Sequence, residues 1–135
     1  MNGRRIALAL VVWSTGALAV AHKPSDSYLR IAGGGERLQA QWDIGLRDLE
    51  YVIGLDSDQD GQITWGEVKA RRSAIAAHAL SHLRIVADGQ PCQLQVADLL
   101  VNEHSDGGYA VLAIETDQPG DAARLEVQYD LLFDI

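Results

Sequence analysis

The sequence is poor in cysteine and in basic residues. Cys92 is its single cysteine, so no disulfide can form within the chain, and a buried, unreactive thiol is expected unless it pairs with another chain. Its 11 Lys and Arg are outnumbered by 19 Asp and Glu, which gives a net charge of −8. Because such a surface repels phosphate backbones and anionic lipid headgroups, nucleic acid is not an expected partner.

The sequence also lacks an apolar run long enough to cross a membrane. The run at residues 6–21 has 16 residues and is interrupted at 14–16, whereas a spanning helix needs about 20 apolar residues. It follows the basic pair Arg4 and Arg5 and ends in the small residues 19–21. These features are typical of a secretory signal peptide, so we predict that residues 1–21 are removed after export.

Cleavage at that point would leave residues 22–135 as a single domain. Its Lys and Arg then fall from 11 to 9 while all 19 acidic residues remain, so the net charge becomes −10. The predicted location is the periplasm, with the domain either free or at the outer face of the inner membrane.

Motifs of catalysis are missing as well. The Ser and Asp residues form no nucleophile elbow, and Cys92 has no histidine near it in the sequence. The glycine run at 33–35 lacks the strand–glycine–helix context of a phosphate-binding loop. We therefore predict that the chain is not an enzyme.

Two hydrophobic periods divide the domain. Residues 37–44 alternate between apolar and polar side chains, which is typical of a half-buried strand. Residues 46–53 and 67–83 instead repeat apolar side chains at helical spacing. Five further segments have strand patterns bounded by turn residues: 28–32, 83–87, 90–101, 109–115 and 123–133.

Two local features refine the strand prediction. Asp88-Gly89 accepts the positive φ angles of a tight two-residue turn and so predicts a hairpin. The apolar phase slips near Asp98, which indicates a β-bulge. The predicted fold class is α+β: an antiparallel sheet or sandwich with one helix–loop–helix inserted at about 45–83, between the second and third strands.

The loop between the two helices has the sequence DSDQDGQITWGE, residues 56–67. It resembles the EF-hand calcium loop, D-x-[DN]-x-[DN]-G-x5-E, at every specified position, with Gly61 permitting the sharp turn. Calcium prefers six to eight oxygen ligands, and repulsion among these acids calls for a cation between them. The predicted calcium ligands are the side chains of Asp56, Asp58 and Asp60, the carbonyl of Gln62, Thr64 directly or through a water, and both carboxylate oxygens of Glu67.

An acidic turn before a helix N-terminus is the simpler interpretation of these acids, since Asp and Glu are favoured there. It accounts for the charge but not for the spacing, for glycine at the sixth place or for helices on both sides. Because the sequence has one such loop, the expected affinity for calcium is micromolar to millimolar. We expect Ile63 to pack on the core or on a partner loop.

Histidines offer an alternative metal site. His78 and His82 stand four residues apart on one predicted helix, so both rings could face one ion, but two solvent-facing side chains are the simpler interpretation. After cleavage, His22 would become the N-terminus and could chelate copper or nickel with a second histidine such as His104. The alternative function is therefore that of a transition-metal accessory protein.

Three segments resemble the exported N-terminal region of bacterial HupE/UreJ-like membrane proteins: AHKPSDSYLRI, QWDIGLRDLEYVIGLDSDQDGQITWGEV and YDLLFDI. Members of that family continue into several membrane helices, and the family name is associated with nickel. The sequence stops at Ile135 before any such helix, so nickel transport does not carry over. The resemblance implies either a stand-alone calcium-binding domain, structural or sensory, or a shortened form of a longer membrane protein. A further alternative function is that of an interaction module of a membrane transport protein.

Overall fold

The computed structural model describes residues 27–131, so the predicted signal peptide, His22 and Phe133 lie outside the described part. Within it no helix has the length and apolarity to cross a membrane. Seven strands and three helices follow one another in this range. They are β1 (Tyr28–Ala32), β2 (Arg37–Gly45), α1 (Leu46–Ile53), α2 (Trp65–Ala70), α3 (Arg72–Ser81), β3 (Leu83–Ala87), β4 (Gln90–Pro91), β5 (Leu94–His104), β6 (Gly107–Pro119) and β7 (Leu125–Tyr129).

The strands form two antiparallel sheets. Sheet A has the order β1-β2-β6-β5 and sheet B the order β4-β3-β7. The helices and the acidic loop lie between β2 and β3 along the chain. The α+β class with antiparallel sheets is therefore confirmed, and the helical segment stands where the sequence predicted it.

A single hydrophobic core contains side chains from both sheets and from all three helices. In β2 the alternation predicts the burial correctly, because Leu38, Ala40, Trp42 and Ile44 are all buried. The Trp42 ring meets the Tyr129 ring edge-on with 6.1 Å between ring centres, which links sheet A to sheet B. The core thus holds the two sheets and the helices as one unit.

The prediction of one continuous helix over 67–83 was wrong. The chain forms α2 and α3 with a break at Arg71, whose φ and ψ are −100° and 11°. Its guanidinium reaches back to the end of α1, donating to the carbonyls of Ile53 (2.7 Å) and Gly54 (3.1 Å). Leu83, expected both on the helical stripe and in the strand over 83–87, is the first residue of β3, so the strand prediction is confirmed there.

The prediction of one strand arm over 90–101 was also wrong. The hairpin itself is confirmed, with φ of 48° at Asp88 and 80° at Gly89, but β4 ends after two residues at Pro91. The chain then crosses to the other sheet, where β5 pairs with β6. The bulge is confirmed, since the register of that pair shifts between Val96 and Asp98.

Candidate metal centre

The acidic loop is anchored at both ends by apolar side chains. Leu55, which precedes the first aspartate, is 1% exposed and belongs to the core. Ile63 is half-buried and packs against the same core, which is one of the two environments that the sequence predicted for it. The carboxylates between these anchors lie at the surface, where a dissolved ion can reach them.

Three of the predicted ligands lie together. The carboxylates of Asp56, Asp58 and Asp60 each place an oxygen within 4.8 Å of the others. Backbone N–H groups curl the loop around them: the N–H of Gly61 donates to Asp56 (2.8 Å), and that of Gln62 donates to Asp60 (2.8 Å). The turn needs the left-handed backbone of Gly61, whose φ is +84°, because other residues are strained there.

Glu67 occupies a different place in the structure. One carboxylate oxygen accepts from the Ser57 N–H (2.8 Å) and hydroxyl (3.0 Å), and the other from the Thr64 N–H and hydroxyl (both 2.9 Å). With Thr64 it forms a capping box, which satisfies the free N–H groups at the start of α2. The roles of Glu67, Thr64 and Gln62 as metal ligands stay predictions.

The electrostatics of the loop differ from one carboxylate to the next. Hydrogen bonds from the N–H groups of Thr64 and Ser57 lower the pKa of Glu67 to about 2. The N–H of Asp60 lowers the pKa of Asp58, but desolvation, the Asp56 side chain and the charges of Asp60 and Glu67 together raise it above its ordinary value. Among residues 27–131 no Lys, Arg or His nitrogen forms an ion pair with these acids.

Two supporting residues were missed by the sequence reasoning. The Glu50 carboxylate, on α1, accepts hydrogen bonds from the N–H groups of Leu55 and Asp56 and so fixes the start of the loop. Arg71 fixes its far side through the end of α1, as described above. A carboxylate in the last turn before an acidic loop is the pattern that could have indicated Glu50; no local pattern indicates Arg71.

A groove of about 630 Å³ runs beside the loop. Its lining includes Glu50 and Asp56 on the loop side, Glu103 at the end of β5 and Asp106 from the β5–β6 turn, against one basic residue, Arg47. The negative potential of such a groove raises the local concentration of cations. Its carboxylate oxygens are hard ligands, which fit calcium or magnesium better than a thiophilic metal.

The histidines form no comparable group. The rings of His78 and His82 have their centres 4.6 Å apart, and His82 Nδ1 lies 3.1 Å from Asp130 Oδ1. His78 is half-buried rather than solvent-facing, and burial, then the neighbouring His82, lower its pKa. His104 is engaged elsewhere, with its Nε2 3.3 Å from the buried carboxylate of Asp43.

Cys92 is half-buried rather than fully buried. Its burial and the nearby charge of Asp117 raise the pKa of the thiol, while a backbone hydrogen bond at Ala87 opposes the shift. A raised thiol pKa means less thiolate at neutral pH and therefore low reactivity.

Comparison with known proteins gives no relative for this chain. No family model, no curated protein and no solved structure matches it. The resemblances to the EF-hand loop and to the HupE/UreJ-like proteins therefore remain predictions that depend on the residues quoted for them.

Proposed function

We propose that this protein binds calcium through the loop of residues 56–67, as a structural site in an exported domain. The observation that carries the proposal is the convergence of the Asp56, Asp58 and Asp60 carboxylates within 4.8 Å on a loop held by two helices. No basic side chain among the described residues compensates these charges, which supports a bound cation as the group that would reduce their repulsion.

The three aspartates would hold the ion, and the ion would supply positive charge between them. The Gln62 carbonyl and Thr64 would complete the ligand set. Glu67 would join only by exchanging its hydrogen bonds to Ser57 and Thr64 for metal coordination. Because an unfolded chain cannot gather these oxygens, binding favours the folded state by mass action.

The experiment is calorimetry on the purified, processed protein with calcium, magnesium, copper and nickel in parallel. We expect one calcium site in the micromolar to millimolar range, with weaker binding of magnesium because it demands a tighter octahedral cage. Copper or nickel binding tighter than calcium would overturn the proposal and favour the histidine alternative.

A matched pair of variants tests the assignment of the site. Asp56→Asn removes the charge at the first loop position, where the motif accepts only aspartate, and should weaken calcium binding by about tenfold or more, because affinity depends on the number of charged ligands. Asp121→Asn removes one charge from the exposed turn before β7 and should leave the isotherm unchanged. Equal effects of the two variants would mean that calcium responds only to net charge.

The proposed location is the periplasm, supported by the pattern of residues 1–21. N-terminal sequencing of the protein recovered from the periplasm tests it, and we expect His22 as the first residue. A protein that keeps Met1 and stays with the cytoplasmic fraction would contradict this part of the proposal.

A further inference from the structure

Strand β7 forms one edge of sheet B. It pairs with β3 along one side, in the register Leu83–Tyr129 to Ala87–Leu125, and no strand among residues 27–131 pairs with its other side. All five of its residues are exposed. An exposed strand edge offers a row of backbone groups to another chain.

The core-facing side of this strand is only partly covered, although the Tyr129 ring meets the Trp42 ring. On β3 the residues Leu83, Ile85 and Ala87 are 7%, 1% and 3% exposed. Their direct partners on the same face of β7 are Tyr129, Val127 and Leu125, which are 46%, 40% and 39% exposed. The apolar face of sheet B therefore continues past the core and is open to solvent at its edge.

The backbone groups at the free edge belong to the same three residues. Asp130 N–H donates to the His82 carbonyl (3.2 Å), and Asp88 N–H donates to the Arg124 carbonyl (2.9 Å). Even-numbered residues of β7 thus bond to β3, and by the alternation of an antiparallel ladder the N–H and C=O groups of Leu125, Val127 and Tyr129 point outward.

Within these constraints, three antiparallel, two-fold registers set at least three of the five residues of β7 opposite residues of β7 in a second copy. With the axis at Glu126, the Glu126 carboxylates of the two copies lie opposite each other. With the axis at Gln128, Glu126 of one copy lies opposite Asp130 of the other. An axis at Val127 instead sets Glu126 against Gln128, Leu125 against Tyr129, and Arg124 against Asp130. Of these three, the register with its axis at Val127 opposes no like charges. It sets Arg124, whose guanidinium lies 3.3 Å from Glu126 of its own chain, opposite Asp130, whose carboxylate lies 3.1 Å from His82.

We propose that two copies of this chain associate through β7, antiparallel across a two-fold axis at Val127, to form one six-stranded sheet. The contact uses one patch on both copies and closes on itself, as in most homodimers. Two of the other edge strands have features that discourage pairing with another chain. Strand β4 is two residues long and ends in Pro91, and β5 is interrupted by the bulge at Asp98. β7 has neither proline, lysine nor bulge.

Sedimentation of the purified protein over a range of concentrations tests the association. We expect a reversible dimer, and a protein that remains monomeric at about 1 mM, the weak end of specific affinity, would overturn the proposal. Calcium binding is measured separately and does not depend on this result.

Charge exchange tests the register. Arg124→Asp would face Asp130 of the second copy and should raise the dissociation constant about tenfold, as should Asp130→Arg. The double variant R124D/D130R restores opposite charges and should recover most of the affinity. Because Arg124 is largely exposed, R124D should fold normally, which circular dichroism and the melting temperature would verify. A dimer that is indifferent to all three variants uses another surface and contradicts the proposal.

Cross-linking provides a second test that does not depend on charge. In a C92S background, V127C should oxidise readily to a disulfide dimer, because directly opposed residues lie about 5.5 Å apart between Cα atoms, within disulfide range. Q128C is the matched control, since its own copy is not opposite it. Cross-linking of Q128C in preference to V127C would exclude the proposed axis.

Discussion

Two regions of this protein hold acidic side chains in opposite ways. Asp43, on β2, is 2% exposed and has three partners from its own chain: Gln41 Nε2 at 2.8 Å, His104 Nε2 at 3.3 Å and Arg30 Nη1 at 3.7 Å. The aspartates of the loop are close to one another and accept hydrogen bonds from backbone N–H groups. No basic side chain of the described residues pairs with them.

The difference shows where the protein depends on its surroundings. A buried carboxylate is tolerated when the fold itself supplies hydrogen bonds and positive charge, as it does around Asp43. A set of carboxylates gathered without such partners leaves the charge to be balanced from solution. The first arrangement is complete in the folded chain, whereas the second is the one that we propose an ion completes.

The largest expected effect comes from adding calcium. At a free concentration about 100 times the dissociation constant, calcium should stabilise the fold by about 2.7 kcal/mol and raise the melting temperature. Thermal unfolding in calcium and in excess chelator measures the difference. An unchanged melting temperature would show that the loop needs no ion for stability. The loop aspartates would then not differ from Asp43 in depending on an ion from solution.

Substitution at the buried site should have the next largest effect. Asp43→Asn removes the charge that faces Arg30 and His104 and should cost about 1–3 kcal/mol, the usual range for a hydrogen bond to a charged group. The cost stays below that of a fully buried ion pair because Arg30 is 63% exposed and remains hydrated. Chemical unfolding in chelator measures it, with Asp121→Asn as the surface control. A stability equal to that of the parent would show that Asp43 is not held by its neighbours.

The same substitution in the loop should act in the opposite direction. Desolvation and the charges of Asp60 and Glu67 help to raise the pKa of Asp58, so its ionised form is disfavoured in the fold. Asp58→Asn should therefore leave the melting temperature in chelator unchanged or slightly higher, while it weakens calcium binding. A lower melting temperature in chelator would mean that the Asp58 charge stabilises the loop without an ion.

The smallest effect concerns the pH dependence of Glu67. Its pKa is lowered to about 2 in the fold, from an ordinary value of 4.5. The ionised carboxylate therefore stabilises the fold above pH 4.5, and this contribution is lost as the pH falls from 4.5 towards 2.

Comparison of Glu67→Gln with the parent in chelator isolates this contribution. The variant should be less stable at pH 7, and the two unfolding curves should converge only below pH 2, where the Glu67 carboxyl of the folded parent is also neutral. A gap that stays constant over the whole range would assign the effect to the shape of the side chain rather than to its charge.

The sequence predicts features that depend on neighbours along the chain. Alternation predicted the buried side of β2, Asp88-Gly89 predicted the hairpin, and the slipped phase predicted the bulge at Asp98. The errors involve contacts between distant segments. Arg71 ends α2 by bonding to carbonyls 17 and 18 residues earlier.

The candidate site also combines local features, which the sequence predicts, with contacts between distant residues, which it does not. Periodic spacing was enough to predict that Asp56, Asp58 and Asp60 converge, because one turn of the backbone brings them together. The capping role of Glu67 competes with its predicted role as a ligand, and sequence spacing cannot distinguish the two, since both place the residue in the first turn of a helix. The pairing of Asp43 with His104 joins residues on strands separated by the whole helical segment.

The two hydrogen bonds from Arg71 to the end of α1 determine how much the chain would have to rearrange when an ion binds. They hold the segments on either side of the loop together through the chain's own contacts, so calcium binding would have less backbone freedom to remove. Calcium binding should then be fast, and the backbone outside the loop of residues 56–67 should move very little. A loop held in this way suits a permanently bound, structural calcium ion and is ill suited to a calcium sensor, which must change conformation on binding.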